Sequence, residues 1–302
     1  GFAGTFLGAT VLALRCPLAV APSMDVDMYR HPATQENLRI LRERGVHIIE
    51  PEEGELASGL RGAGRLPEPA TLVAWVGALL RPVAEDFRGR HLLVTAGPTY
   101  EPIDPVRFIG NRSSGKTGFA LAAAAAARGA RVTLVAGPVH LPTPANVHRI
   151  DVTTTMEMYR TVLELFPSVD ALIMSAAVAD FAPAEPGDRK IKRGSVHGQE
   201  FSLTLKQNPD ILKAAGQCKT RQVLVGFALE TDNGLENAKA KLQAKHLDLI
   251  VLNDPLEEGA GFGTDTNIVT LVSADGNVVR LPKLAKFDVA LKILDAVAPL
   301  LS

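Results

Sequence analysis

Apolar and polar positions change rhythm along this chain. From residue 91 onward, near-continuous apolar runs alternate with segments whose apolar residues recur every three to four positions. After "RHLLVTAGPT", the segment "KTGFALAAAAAARG" precedes "ARVTLVAG", and "TTTMEMYRTVLELF" precedes "DALIMSAAV". "NPDILKAAGQ" precedes "QVLVGFALE", and "NGLENAKAKLQAKH" precedes "LDLIVLND". Apolar strands separated by amphipathic helices predict an α/β fold whose mostly parallel sheet is covered on both faces. "NIVTLVSADGNVVRL" instead alternates about Asp275-Gly276, which predicts a hairpin. A last helix, "KFDVALKILDAVAPLL", follows it.

The front of the chain reads differently. "GFAGTFLGATVLALRCPLAVAP" is apolar, but Arg15 and Pro17 interrupt it and no basic stretch precedes it. It predicts a buried helix leading into a buried strand rather than a signal peptide or membrane span. "TQENLRILRERG" gathers Leu38, Ile40 and Leu41 on one side of a helix closed by Gly45, and "VHIIEP" reads as a strand. "GELASGLRGAGRLPEP" is rich in glycine and proline and predicts a loop. "ATLVAWVGALLRPV" predicts a helix that ends the first unit. The charged, turn-rich "RPVAEDFRGR" sets a domain boundary near Asp86, dividing the chain into 1–85 and 86–302.

Composition narrows the class. The 302 residues are 46% hydrophobic and 22% charged, as in a soluble globular protein of about two domains. A net charge of −1 gives no field drawing the chain to nucleic acid or an anionic membrane. Cys16 and Cys218 lie far apart, and the seven histidines form no pair at metal-binding spacing. A cytoplasmic protein with free thiols and no zinc site is expected.

"GNRSSGKT", Gly110–Thr117, satisfies G-x-x-x-x-G-K-[ST] at every position. A P-loop leaves its buried strand directly. Here the strand "LLVTA" ends at Ala96, and residues 97–110, with three prolines, intervene before Asn111. The pattern is therefore met without a P-loop. The N–H groups of "SSG" opening a helix still predict an anion site at Ser113, Ser114 and Gly115. Ser113 or Ser114 is also expected as the helix N-cap.

Six motifs in order carry a resemblance: "TAGPTYEPIDPVRFIGNRSSGKTG", "SAAVADF", "RKIKR", "NPDIL", "GFALET" and "AKAKLQAKHLDLIVLND". Over residues 87–302 the chain resembles phosphopantothenate–cysteine ligase, where the Lys-Thr position is often Lys-Met. The upstream part resembles the rear of the flavin-dependent phosphopantothenoylcysteine decarboxylase, which bacterial members fuse to the ligase. "APSMDVDMYRHPATQ" is similar to that family's P-x-M-N-x-x-M motif, and "GELASGLRGAGRLPEP" to its substrate clamp. The resemblance thus implies a Rossmann-like ligase domain behind a partial flavodoxin-like domain. By comparison with the family, about the first hundred decarboxylase residues, with the catalytic histidine, are absent. Beside Met24, Asp25 stands where the family usually has Asn, and Ser58 where it often has the catalytic Cys. A serine hydroxyl is a far weaker acid than a thiol. FMN is accordingly expected in a complete decarboxylase domain but not here.

The resemblance also implies a reaction. Phosphopantothenate attacks the α-phosphate of a nucleoside triphosphate, CTP in bacterial relatives, with Mg²⁺. Cysteine then takes the acyl group from the acyl-nucleotide. Lys241 and Lys245, four apart on a helix, fall on the triphosphate pair, although such spacing equally marks a solvated basic face. Lys190 falls on the essential lysine of a basic, glycine-flanked flap, with Lys192 and Arg193 as weaker candidates. Arg107 and Asn111 fall on residues that handle the acyl intermediate, although Asn111 also suits a turn. Ala176 and Ala177 follow a buried strand, where small residues admit either a ligand or close packing. Asp180 holds either ribose or Mg²⁺. Asn208, Pro209, Asp210 and Phe227 surround the base, with helix initiation the alternative for Asp210 and core packing for Phe227. A homodimer through the ligase domain is expected, and a higher oligomer with a complete decarboxylase domain. Other classes remain: an FMN-dependent decarboxylase with the ligase region as scaffold, a non-catalytic oligomerisation module, and a nicotinamide-binding enzyme. "GPTYEP" lacks the G-x-G-x-x-G that the last requires.

Overall fold

The computed structural model describes residues 4–80, 85–192, 201–229, 234–253 and 264–301. The chain forms two compact units, Gly1–Pro82 and Val83–Ser302.

The first unit runs α1 (Phe6–Ala13), β1 (Ala19–Val20), α2 (Val26–Arg30), α3 (Pro32–Glu43), β2 (His47–Ile48), β3 (Glu52–Glu55), β4 (Arg61–Arg65) and α4 (Pro69–Leu80). β1 and β2 pair in parallel. Two expectations fail here. α1 buries none of its residues, and Phe6 is 91% exposed. A helix apolar on every side needs neighbours on every side to be buried, and among the described residues α1 is not so covered. The glycine-rich segment is not a loop but the β3–β4 hairpin. Its glycines serve close approach rather than irregularity. A Cβ on Gly64 would lie 2.1 Å from the Met24 carbonyl oxygen, and one on Gly62 would lie 2.7 Å from Val26.

The second unit continues through β5 (His91–Ala96), β6 (Tyr100–Pro102), β7 (Phe108–Gly110), α5 (Lys116–Ala127), β8 (Arg131–Ala136), β9 (Val147–Asp151) and α6 (Thr155–Leu165). Then come β10 (Ala171–Met174), β11 (Phe181–Pro183), β12 (Leu205–Gln207), α7 (Ile211–Cys218), β13 (Val223–Leu229), α8 (Gly234–Ala244) and β14 (Leu249–Asn253). β15 (Thr266–Asn267), β16 (Val269–Ser273), β17 (Val278–Arg280), β18 (Leu284–Ala285) and α9 (Lys286–Val297) complete it. Eight strands form one sheet in the order β17-β16-β14-β13-β10-β5-β8-β9. β14, β13, β10, β5, β8 and β9 run parallel, while β16 and β17 form the expected antiparallel hairpin. β9 and the small β6–β7 and β11–β12 hairpins are additions to the sequence reading.

One apolar cluster lies beneath α5 and α9, the other beneath α6, α7 and α8. β5 feeds both: Leu92, Val94 and Ala96 join the first, and Leu93 the second. Ala122, Ala124 and Ala125 are fully buried, because α5 packs on β5 and β8 and against the neighbouring α9. From β5 the chain builds outward through β8 and β9, then crosses to β10 on the other side. That reversal opens a crevice beyond the carboxyl ends of β5 and β10, where open α/β sheets bind ligands.

Candidate active site

A cavity of about 580 Å³ occupies that crevice, wholly within the second unit. Four short segments wall it: Asn111–Gly118 at the entry to α5, Met174–Asp180 after β10, Gln207–Leu212 at the entry to α7, and Phe227–Leu229 of β13. Lys245, Asn253, Asn267 and Lys286 complete the lining. Most of the expected residues meet here: Asn111, Ser113, Ser114, Gly115, Ala176, Ala177, Asp180, Asn208, Pro209, Asp210, Phe227 and Lys245.

The entry to α5 differs from expectation in one respect. Neither serine is the N-cap. Gly115 takes that position at φ 76°, and no side chain caps the helix. The Ser113 hydroxyl accepts from the Gly115 N–H at 3.4 Å instead. Space explains the choice. A Cβ at Gly115 would come within 3.1 Å of Val139 and 3.4 Å of the Gly97 nitrogen. A left-handed residue pressed against neighbouring backbone has to be glycine. Gly115 offers no side chain to cap the first N–H groups of α5, and that turn lines the cavity wall.

The 176–180 segment is held by side chains that the sequence reading passed over. The Ala176 N–H donates to the Thr95 hydroxyl, the Ala177 N–H to the Gly97 carbonyl, and the Ala179 N–H to the Thr99 hydroxyl. Thr99 in turn meets the Thr155 hydroxyl at 2.9 Å, and Thr155 donates to the buried Glu101 carboxylate from both its hydroxyl and its N–H. From the cavity side, the Asn111 amide donates to the carbonyls of Ala177 and Val178, and the Asn208 amide to that of Ala179. Asn111 is thus more than a turn residue: it ties two walls together. Thr95, Thr99 and Glu101 do leave a trace in sequence, as polar residues spaced through "TAGPTYE" directly after an apolar strand.

Asp210 N-caps α7, accepting from the Lys213 N–H at 2.9 Å, and pairs with the Lys245 ammonium at 2.8 Å. Burial pushes its carboxyl up, but the Lys245 and Lys213 hydrogen bonds outweigh this and hold it below the usual aspartate range. Helix initiation and a cavity position are thus both true of Asp210. Lys245 follows α8 directly, its N–H still bonded to the Lys241 carbonyl, but Lys241 itself is not part of the lining. Asp180 is exposed at the cavity. Phe227 lines the cavity while packing against the core beneath α5 and α9.

Arg107 and Lys190 lie outside the cavity lining. Arg107 pairs with Asp104 at 2.7 Å and donates to the Ile191 carbonyl at 2.6 Å. Asp104 is buried and accepts from the N–H groups of Val106, Arg107 and Ile191. Desolvation raises its pKa, yet those three donors and the Arg107 charge bring it below the ordinary value. The basic segment is therefore anchored at Ile191 to the turn between β6 and β7, with exposed Lys190 and Lys192 on either side. Arg193 and Gly194 lie outside the described residues.

At the far end, Lys116 and Lys286 each open a helix, α5 and α9. The Lys116 ammonium pairs with Asp265 at 2.7 Å. Lys286 is only 8% exposed and donates to the Thr264 carbonyl. In the first unit, Met24 bonds through its N–H to the Gly64 carbonyl, and Asp25 N-caps α2. Ser58 lies at the opposite end of the β3–β4 hairpin, accepting from the Leu60 N–H. Among the described residues, no group of three or more His, Cys, Asp or Glu side chains is placed to hold a metal ion. No helix there is long and apolar enough to cross a membrane.

Two family models match the chain. Residues 87–300 match the family described as DNA/pantothenate metabolism flavoprotein C-terminal domain, and residues 5–81 match the Flavoprotein family. A curated relative from an unidentified prokaryote, "Cysteine/Cysteine sulfinic acid decarboxylase", is 48% identical over 97% of this chain and 82% of its own. "Coenzyme A biosynthesis bifunctional protein CoaBC" of Bacillus subtilis (strain 168) is 45% identical over 99% of this chain and 74% of its own. Among solved structures, the C-terminal domain of a coenzyme A biosynthesis bifunctional protein CoaBC is 39% identical, with a TM-score of 0.62, over 72% of this chain and 98% of that domain. The chain therefore belongs to the family of bifunctional coenzyme A biosynthesis proteins, joining a flavoprotein-type unit to a pantothenate-metabolism domain.

Proposed function

We propose that the second unit joins cysteine to 4'-phosphopantothenate through an acyl-nucleotide formed from CTP. The observation that carries this reading is the cavity at the sheet's switch point, lined by the first turn of α5, a pinned alanine loop and Lys245. Such a wall suits a reaction that brings two anions together. In the first step a carboxylate oxygen of phosphopantothenate bonds to the α-phosphorus and pyrophosphate leaves. In the second, the cysteine nitrogen bonds to the acyl carbon, loses a proton, and CMP leaves.

The residues divide accordingly. Ser113, Ser114 and the first N–H groups of α5 receive phosphate oxygens. Asn208, Pro209, Asp210 and Phe227 form the base and ribose side, and Lys245 reaches the phosphates from its place beside Asp210. Asn111 holds the 176–180 loop in place beside the reacting acyl group. Lys190 comes over the site from the anchored basic segment and excludes water from the acyl-nucleotide. Arg107 acts in that closure through its hold on Ile191. A single carboxylate is compatible with Mg²⁺ that shares the nucleotide's phosphates, and Asp180 is the group to hold it. Bound there, the ion would supply charge neutralisation. A homodimer and a cytoplasmic site of action go with this reading, as does the division of work at about residue 86.

A second reading takes decarboxylation as the chain's activity, with the second unit as scaffold. The name of the 48% identical relative favours it, as does the Flavoprotein match, which is where FMN would enter. One experiment separates the two. Pyrophosphate release is measured with phosphopantothenate and CTP or ATP, with and without cysteine, and CO₂ release from cysteine and phosphopantothenoylcysteine is followed in parallel. The expected result is pyrophosphate with CTP in the absence of cysteine, and CMP only after cysteine is added. CO₂ without any pyrophosphate would overturn the ligase reading.

A further inference from the structure

Lys286 has no part in the reaction sketched above. It is the first residue of α9, 8% exposed, and it lines the cavity. A lysine ammonium carries three N–H donors. Among the described residues one of them goes to the Thr264 carbonyl. Lys116, the first residue of α5, lines the cavity too, and its ammonium is paired with Asp265, whose side chain is 88% exposed. Helix dipoles disfavour cations at a first turn and favour anions there. Two lysines at two first turns, both on one cavity, run against that rule twice. Burial, then the neighbouring Lys116 charge, lowers the Lys286 pKa, and Asp265 offsets only part of this. A phosphate group arriving between them would relieve the repulsion, satisfy the remaining donors and meet both helix ends with the favoured sign. Asn267, 5% exposed and paired through β15 with Leu284 of β18, brings a second buried polar side chain to the same end.

We propose that Lys286 is a phosphate-anchoring residue: with Lys116 it forms a cationic end wall that takes a terminal phosphate group, of the nucleotide or of phosphopantothenate. This rests on reading the cavity as the ligase site.

The test is titration calorimetry on the full chain and on Lys286→Met, with CTP, CMP, 4'-phosphopantothenate, pantothenate and inorganic pyrophosphate. At least a tenfold loss of affinity for CTP, with CMP within twofold, assigns the wall to the nucleotide. The same loss for phosphopantothenate, with pantothenate within twofold, assigns it to the acid. CTP and phosphopantothenate both bound within twofold of the unaltered chain overturn the proposal. If Lys286→Met loses every ligand alike, Lys286→Arg decides: regained phosphate-ligand affinity supports the anchor, and none overturns it. Pyrophosphate keeps the two ideas apart. Lys286-dependent pyrophosphate binding by a chain that takes neither CTP nor phosphopantothenate keeps the anchor and sinks the ligase reading. An unaltered chain that binds none of the five sinks both.

Discussion

Asn111 shows how much one side chain does at this site. Its amide donates to two consecutive carbonyls, and those carbonyls belong to the loop that carries Ala177 and Val178. Asn111→Asp keeps the shape but replaces the donor with a carboxylate facing two carbonyl oxygens. The wall loses its tie to the loop. A reacting group misplaced by the loosened loop should lose on the order of a hundredfold in rate. Lys116→Ala removes a cation whose partner, Asp265, is exposed to solvent, so it should weaken nucleotide affinity without stalling either half-reaction. Single-turnover measurement of acyl-nucleotide formation and of cysteine transfer in both variants checks the ranking. A dead Lys116→Ala beside an active Asn111→Asp would reverse the ranking and make Lys116 the key phosphate-binding residue of the loop. The loop's residue types were readable from "GNRSSGKT", but its cap was not. Glycine at 115 answers to Val139 and Gly97, contacts that no local pattern contains.

At the scale of elements, the alternation of apolar strands and amphipathic helices was enough to order the second unit. It missed what is short or polar. β9 reads "VHRID" and is only partly buried at the edge of the sheet, so it lacks the apolar run of its neighbours. The β3–β4 hairpin was hidden because glycine signals both a break and a close approach, and the Met24 carbonyl that demands Gly64 is remote in sequence. The Thr99–Thr155–Glu101 relay was hidden for a related reason. Its members come from different segments, and each alone looks like a turn or cap residue. Thr155 sits at the head of α6 and has one hydroxyl proton, which goes to Glu101 at 2.7 Å. Thr99 then supplies its own proton to Thr155 and accepts from the Ala179 N–H. Thr155→Val should leave buried Thr99 and Glu101 short of a partner, at a cost of about 1–3 kcal/mol. The 176–180 loop should loosen with it. Urea denaturation and the nucleotide KM would both move. A changed stability with an unchanged KM would mean that the relay supports the fold and not the site.

For the molecule as a whole, one group that should tie stability to pH near neutrality lies at the opposite end of the sheet from the cavity. His91 begins β5, its Nδ1 facing Arg131 at 2.8 Å and its Nε2 facing Thr133 at 2.9 Å. Arginine only donates, so Nδ1 accepts and the ring proton sits on Nε2, pointing at Thr133. Burial, then the Arg131 charge, pushes the His91 pKa down, and the Ser168 backbone and Asp170 push back less. The folded state therefore binds this proton less readily than the unfolded chain, whose histidine titrates near 6.5. Stability should be full above about pH 6.5 and fall as pH drops from there toward the lowered folded value. Melting temperature followed from pH 7.5 to 5.5 tests this, with His91→Gln expected to flatten the slope. An equal slope in that variant would move the effect to another group.

The strand order carries a consequence for synthesis. β5 is the first strand of the sheet to leave the ribosome, and it ends in the middle, between β8 and β10. β8 follows closely, but β10 pairs Ala171 with Leu92, about eighty residues later. Until then one long edge of a wholly buried strand has no partner, and an open edge of that kind recruits other chains. α9, which packs on α5, arrives later still. Slow elongation between β8 and β10 should thus favour aggregation of nascent chains, and the cavity lining is complete only when Lys286 has been made, just before the rest of α9 closes the core.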